Sequence, residues 1–344
     1  MKALLMEQYN KIRFTDVPDP ELTAPDDVLV KVKAVSICGS DVHGFDGSTG
    51  RRKPPIIMGH EAAGEVLDTG KGVHKFKTGD PVTFDSTIYC GECFYCRSGK
   101  VNLCDNRMVI GVSCDEYRRH GAFAEYVVVP ERVCYPLPGG LSWEEAAMTE
   151  PAAVASHAFR ITPIGLNDTI AIVGSGLIGL LLLDILKVSV PGKIIALDTD
   201  PFRRETALFR GAHEVFDPAD SELNKKIMEL TCGRGVDRAF EAVGASAPIR
   251  TAISITRKGG SVTLIGNVSP AAEIPLQSVV SREISLFGSC AICGEYPVAL
   301  DLMSRKKINV KSLISKTAPL SEGQIWFDKL YNREDRLLKV VLIP

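Results

Sequence analysis

The chain has 344 residues, too many for one ordinary core and suited to two domains. Apolar residues make up 45% and charged residues 24%, as in globular proteins, and the net charge of −2 provides no bulk field for nucleic acid or an anionic membrane. The first residues, Met1 to Phe14, turn polar too soon for a signal peptide. The most apolar run, Leu177 to Val190, is interrupted by Asp184 and Lys187 and is too short to span a bilayer. The expectation is a cytoplasmic protein that acts on a small molecule, without nucleic-acid or membrane partners.

The first half reads as β-rich and turn-rich. Asp27 to Val35 alternates like a half-buried strand, and Glu65-Val66-Leu67 and Pro81 to Phe84 read the same way, with Gly and Pro between them. Just after the first of these strands comes Cys38-Gly39-Ser40-Asp41-Val42-His43. Next is a basic stretch, Arg51-Arg52-Lys53, and then Gly59-His60-Glu61. Ten cysteines are present, and four of them fall in C-x2-C-x2-C-x7-C at Cys90, Cys93, Cys96 and Cys104. Without an export signal, such a cluster reads as a metal site more readily than as disulfides. Four thiolates close a tetrahedral shell around zinc and leave no open position, so the site, in a lobe at about residues 88–106, is structural. The bacterial iron–sulfur signature is tighter and ends in Cys-Pro, whereas Asp105 follows Cys104 here.

The texture changes near Glu150-Pro151. Short apolar strands at Thr169–Gly174, Lys193–Asp198, Glu214–Asp217, Arg238–Val243, Ser261–Gly266 and Ile284–Gly288 alternate with helices that include Leu177–Ser189 and Pro201–Arg210. That alternation predicts βαβ units and a parallel sheet. Gly174-Ser175-Gly176-Leu177-Ile178-Gly179 fits GxGxxG. It follows an apolar strand and opens an apolar helix, the context in which backbone N–H groups receive a pyrophosphate at a helix N-terminus. Asp198 ends the second strand. A carboxylate there accepts from both ribose hydroxyls and repels a 2′-phosphate, so NAD is expected over NADP, with the nearby Arg203 able to soften the preference. Val243, Ile265 and Gly266, at the ends of their strands, are counted with the cofactor site. The tail ends in an apolar strand, Lys339 to Ile343, expected to rejoin the first domain. The expected division is 1–153, 154–290 and 291–344.

Taken singly, Cys38 reads as a small buried hydrophobe, His60 as a turn histidine, Glu61 as a solvated carboxylate and Glu150 as the residue before a helix. Beside a dinucleotide site, Cys, His and Glu together are a ligand mix compatible with zinc. Three protein ligands and an exchangeable position would make a Lewis acid.

On these motifs the chain resembles the zinc-containing medium-chain dehydrogenase/reductase family, in its sorbitol (L-iditol) dehydrogenase-like polyol branch. The resemblance runs nearly end to end. It rests on CGSDVH at Cys38–His43, GHEAAGEV at Gly59–Val66, the four-cysteine lobe, GAFAEYV at Gly121–Val127, EPAAVASHA at Glu150–Ala158 and the glycine fingerprint. It implies an α/β protein: a GroES-like β-rich catalytic domain interrupted by a Rossmann doubly wound parallel sheet, with the active site in the cleft. It implies two zinc ions, one catalytic and one structural, and NAD. Cys38, His60 and Glu61 match the catalytic zinc ligands. Glu150 matches the acidic residue that meets the zinc directly or through its water, where the alcohol dehydrogenases of the family place a Cys. Ser40 and His43 match the proton-relay positions. The implied reaction is oxidation of a secondary alcohol, the proton leaving through Ser40 by way of the ribose and His43.

One departure stands out. Animal-type sorbitol dehydrogenases carry an Arg-Tyr pair just after the strand matching Ile284–Gly288, where this chain has Ser289-Cys290-Ala291-Ile292. Arg51, Arg52 and Lys53, with Phe45 before them, are therefore the candidate substrate contacts, either as a solvated basic loop or as a holder for an anionic group. Open alternatives are a sugar acid, a polyol phosphate, an inositol-type ring or threonine as substrate, and a dinucleotide-binding protein without turnover. A homo-oligomer, dimer or tetramer, is expected.

Overall fold

A computed structural model describes residues 1–114, 117–189 and 192–344; Val190, the end of the apolar run, lies outside them. Among the described residues no helix is long and apolar enough to cross a membrane. The chain divides into two compact units, Met1–Ala153 with Ala291–Pro344, and Val154–Cys290.

The first unit is built on a seven-stranded sheet centred on the strand Asp27–Ser36. Its Val-rich alternation buries Val28, Val30 and Val32 and leaves Lys31 at the surface, the period of two that a half-buried strand requires. It pairs antiparallel with Glu61–Thr69, with Tyr126–Pro130 and with the last strand, Val340–Ile343. The pairings Val341 with Ser36 and Ser36 with Glu61 bring residues from the two ends of the chain side by side. Helices in this unit are short. Gly39–Phe45 has seven residues, with Cys38 as its N-cap. It packs against the tail helix Gly323–Tyr331.

The second unit is a six-stranded parallel sheet of Ile170–Val173, Ile194–Leu197, Glu214–Phe216, Val236–Glu241, Thr256–Leu264 and Ser285–Gly288. Numbered along the chain, the spatial order is 3-2-1-4-5-6, the Rossmann arrangement. The strands Ile170–Val173 and Ile194–Leu197 are buried throughout, as helix cover on both faces demands. The helix Leu177–Ser189 follows the first strand directly. In this order the progression of strands across the sheet reverses between the first and fourth strands, and ligands bind beyond the carboxyl ends of strands at such a point.

Candidate functional site

In the first unit, the turn after Asp27–Ser36 delivers Cys38 and the start of Glu61–Thr69 delivers His60 and Glu61. One ligand atom from each of these three residues lies within 4.8 Å of the others. His60 and Glu61 are buried and Cys38 is half-buried. Cys38 Sγ accepts from the Ser40 N–H at 3.4 Å and from Ser40 Oγ at 3.3 Å. Behind the imidazole lies Asp41, whose Oδ2 is 3.5 Å from His60 Nδ1, an ion-pair distance; neither atom makes a hydrogen bond among the described residues. Glu61 Oε2 accepts from Ser36 Oγ and from Lys339 Nζ, the latter at 2.5 Å, and Lys339 also donates to the Ile37 carbonyl at 2.9 Å.

Charge dominates this pocket. Burial works against an imidazolium at His60, but Asp41 and Cys38 outweigh it and hold the ring's pKa well above its usual value. Burial likewise opposes ionisation of Asp41, yet the His60 and Arg52 charges keep its carboxyl well below the ordinary range. Glu150, in the first turn of the helix Thr149–Ile161, is buried but is not among the three converging donors. Burial, with the Glu61 and Asp85 charges, pushes its carboxyl up to about 8 against the pull of His60 and Lys339. A thiol, an imidazole and a carboxylate crowded with further acids fit a divalent cation, and the donor set is compatible with zinc.

The four cysteines also converge, with all four Sγ atoms within 4.8 Å of one another. Cys90 lies 3.5 Å from Cys104 and 4.0 Å from Cys96. Zn–S bonds of about 2.3 Å in a tetrahedron put the sulfurs about 3.8 Å apart, between those two values. Backbone N–H groups of Glu92 and Cys93 bring Cys90 down to about 6, while burial pushes Cys96 up to about 12. Four thiolates so close need a cation to hold them, and the set fits zinc.

In the second unit the three glycines have separate tasks. Gly174 has φ of +100°, the left-handed region that favours glycine, and a Cβ there would meet Val243 Cγ2 at 2.6 Å. A Cβ on Gly179 would lie 2.0 Å from the Gly174 carbonyl oxygen, so the helix packs directly on the turn. Around Gly176 the space is open, with Arg203 Nη1 the nearest atom at 3.8 Å, which leaves room for a pyrophosphate to approach the backbone. Asp198 Oδ2 accepts from the Ser175 N–H at 2.8 Å and Oδ1 from the Asp200 N–H at 2.9 Å, with Arg203 Nη1 3.8 Å from Oδ2. The acid is thus fastened to the glycine turn. Ile265 and Gly266 both donate their N–H to the Glu241 carbonyl, and the Glu241 side chain in turn holds the N–H groups of Val243 and Gly244.

Two expected substrate contacts are corrected. Phe45 is buried in the core, its ring 5.6 Å from Phe327 and 6.0 Å from Tyr331, because the helix Gly39–Phe45 turns that face onto the tail helix. Arg52 is also buried: it pairs with Asp41 and reaches Ser40, while Arg51 and Lys53 on either side are exposed. His43 is half-buried, and burial together with the Arg333 charge lowers its pKa. Asp41, Lys339, Ser36 and Glu241 escaped the sequence reading. Asp41 sits inside the CGSDVH motif and could have been noticed there, whereas Lys339 lies 278 residues from its partner Glu61 and leaves no local signal.

Comparison with known proteins agrees with this geometry. Residues 24–139 match the alcohol dehydrogenase GroES-like domain and residues 178–305 the zinc-binding dehydrogenase domain. The chain is 36% identical to D-arabitol-phosphate dehydrogenase of Enterococcus avium, over 97% of this chain and 94% of that protein. It is 33% identical to sorbitol dehydrogenase of Bacillus subtilis (strain 168), over 100% and 97%. Among solved structures, the alcohol dehydrogenase TADH from Thermus sp. ATN1 superposes with a TM-score of 0.92 at 29% identity, covering 100% of this chain and 99% of the other. With donor sets that fit zinc, a glycine turn with open space at Gly176 and end-to-end relatives of one kind, the chain belongs to the zinc-containing medium-chain dehydrogenase/reductase family.

Proposed function

We propose that this protein is a cytoplasmic, zinc-dependent, NAD-linked dehydrogenase that oxidises a secondary alcohol of a polyol or sugar-derived substrate. The observation that carries the reading is the convergence of Cys38, His60 and Glu61 beside the exposed hydroxyl of Ser40. These three residues would hold the catalytic zinc, with Glu150 next to it, and Cys90, Cys93, Cys96 and Cys104 would hold a structural zinc. When bound, the zinc supplies a Lewis acid that favours the deprotonated substrate hydroxyl, and the dinucleotide supplies the hydride acceptor. Ser40 takes up the substrate proton and His43 passes it toward solvent, a step an imidazole can perform because its ring nitrogens both accept and donate protons. Asp41 holds His60 Nδ1 so that the other ring nitrogen is free to bind metal. Gly176 gives the pyrophosphate its approach, and Asp198 supports preference for NAD. The edge strand Ser285–Gly288 and the exposed Leu276 and Val280 support a homo-oligomer, dimer or tetramer.

The test is NADH formation, followed by absorbance, with polyols, polyol phosphates and sugar acids in both directions, together with zinc analysis. Polyol-class turnover with NAD and one zinc at each of the two clusters is expected. A panel without turnover, or an active protein with a single zinc, overturns the reading.

A second reading makes the substrate anionic. It is favoured by the exposed Arg51 and Lys53 and by the D-arabitol-phosphate dehydrogenase relative. A hydrogen bond to a charged group contributes about 1.5–3 kcal/mol, so Arg51→Ala or Lys53→Ala should raise KM for a polyol phosphate roughly ten- to a hundredfold and leave the matched polyol unchanged. Added salt should mimic the substitution.

A further inference from the structure

We propose that Arg52 is a positioning residue of the metal centre, fixing at once the Asp41 carboxylate behind His60 and the hydroxyl of Ser40. This rests on the reading of Cys38, His60 and Glu61 as the catalytic zinc ligands.

By sequence, Arg51, Arg52 and Lys53 look interchangeable. In the fold Arg52 alone turns inward and is 3% exposed. Its Nε and Nη2 both donate to Asp41 Oδ1, at 3.1 and 2.8 Å, and Nη2 also donates to Ser40 Oγ at 3.2 Å. Asp41 is 0% exposed. Space for the guanidinium stem comes from Gly44: a Cβ there would lie 2.5 Å from Arg52 Cγ. The helix Gly39–Phe45 thus carries a recess that the Arg52 stem fills.

The geometry has two consequences. A carboxylate with one free torsion could present either oxygen to His60. Two N–H donors on Oδ1 commit that oxygen to Arg52 and leave Oδ2 for Nδ1. A proton held at Nδ1 by a carboxylate fixes the tautomer whose other nitrogen binds metal. Meanwhile Ser40 Oγ, accepting from Nη2, keeps its own O–H for donation, and here it points to Cys38 Sγ at 3.3 Å. One planar fork therefore sets the orientation of a ligand and of the residue proposed to handle the proton. An ammonium cannot reproduce that fork.

The test compares the full-length zinc protein with Arg52→Lys, which keeps the charge and loses the fork, and with Arg52→Ala. Loss of the outer partner of a metal-binding histidine weakens metal affinity about 10–100-fold. Zinc retention at the Cys38–His60–Glu61 site against a chelator should fall in Arg52→Lys, by at most that factor because Asp41 itself remains, while the four-cysteine zinc is held as in wild type and reports an intact fold. Cobalt placed at the exchangeable site should show altered d–d absorption, and kcat should fall with KM little changed. Guanidinium ion added to Arg52→Ala should restore part of the retention. Where Arg52→Ala also loses the four-cysteine zinc it has unfolded, and Arg52→Lys decides. Wild-type retention, cobalt spectrum and kcat in Arg52→Lys overturn the proposal, as does equal loss at both sites. A wild type without an exchangeable zinc overturns the metal-site reading beneath it.

Discussion

Replacing Lys339 by Met should destabilise the metal-free protein and, at the same time, tighten its hold on zinc at the proposed Cys38–His60–Glu61 site. Lys339 is 2% exposed and Glu61 1%, and their charged atoms are 2.5 Å apart. Burial disfavours the ammonium, but the Glu61 charge, with those of Cys38 and Glu150, overrides it and raises the Lys339 pKa. Breaking a buried pair by removing one partner costs about 3–5 kcal/mol, because a charge is left uncompensated. In the metal-free protein the whole cost falls on Glu61, where Ser36 Oγ remains as a donor. With zinc at the three-residue site the carboxylate keeps a cation, and the repulsion between ammonium and metal is gone. The difference between the two costs must appear as zinc affinity. If zinc recovers about half the cost, about 2 kcal/mol, affinity rises roughly thirtyfold, since 1.4 kcal/mol is tenfold. Denaturant unfolding of the metal-free protein measures the first effect, and competition with a chromophoric chelator measures the second. The four-cysteine zinc is the internal reference and Lys339→Arg the charge-preserving control. Lower stability together with equal or weaker zinc binding would refute the argument and make Lys339 a residue that places Glu61 rather than one that competes for it.

Three further outcomes are expected. Asp198→Ser should weaken NAD binding by about 1.5–3 kcal/mol through lost charged hydrogen bonds while improving NADP binding; titration of both nucleotides checks this, and a wild type that prefers NADP sinks it. Gly179→Ala puts a Cβ 2.0 Å from a backbone oxygen that cannot rotate away, so the glycine turn must open. At about 1–3 kcal/mol for overpacking, nucleotide affinity should drop about tenfold or more with both zinc sites still filled, and unchanged affinity would contradict it. Burial pushes the Asp85 carboxyl from its ordinary 3.8 up to about 7, with the Thr87 N–H pulling the other way. Because the folded value is the higher one, wild-type stability contributed by this group falls as pH rises from about 4 to about 7. Asp85→Asn still offers an oxygen to the Thr87 N–H, bonded at 2.8 Å, so its stability advantage should be absent at pH 4 and full at pH 8; unfolding midpoints that differ equally at both would count against the assignment.

Much of this was legible in one dimension. A strand buried on both faces must be apolar throughout, so Ile170–Val173 and Ile194–Leu197 announce a parallel sheet. The predicted helix Leu177–Ser189 stands over the same residues in the structure. The glycine turn and the four cysteines were readable because their chemistry is local: within each, backbone or sulfur atoms are a few residues apart, and spacing alone limits where they can go. Boundaries were less so. Val236–Glu241 begins two residues earlier than the predicted Arg238, and Thr256–Leu264 five earlier than Ser261. Strand ends depend on which neighbour continues the hydrogen-bond ladder, and Val236 continues it with Thr256.

The sequence by itself determined the layered βαβ unit, the β-rich unit that precedes it and the residue types able to hold metal and dinucleotide, because periodicity and short spacings are properties of neighbours along the chain. Only the tertiary structure decided which of three adjacent cations is buried, that Phe45 belongs to the core, and that Lys339 neutralises Glu61. Burial and ion pairing act through space. Lys339 reaches Glu61 because the strands Val340–Ile343 and Glu61–Thr69 both start beside the same end of Asp27–Ser36, and no local pattern records which distant segment will supply the missing charge.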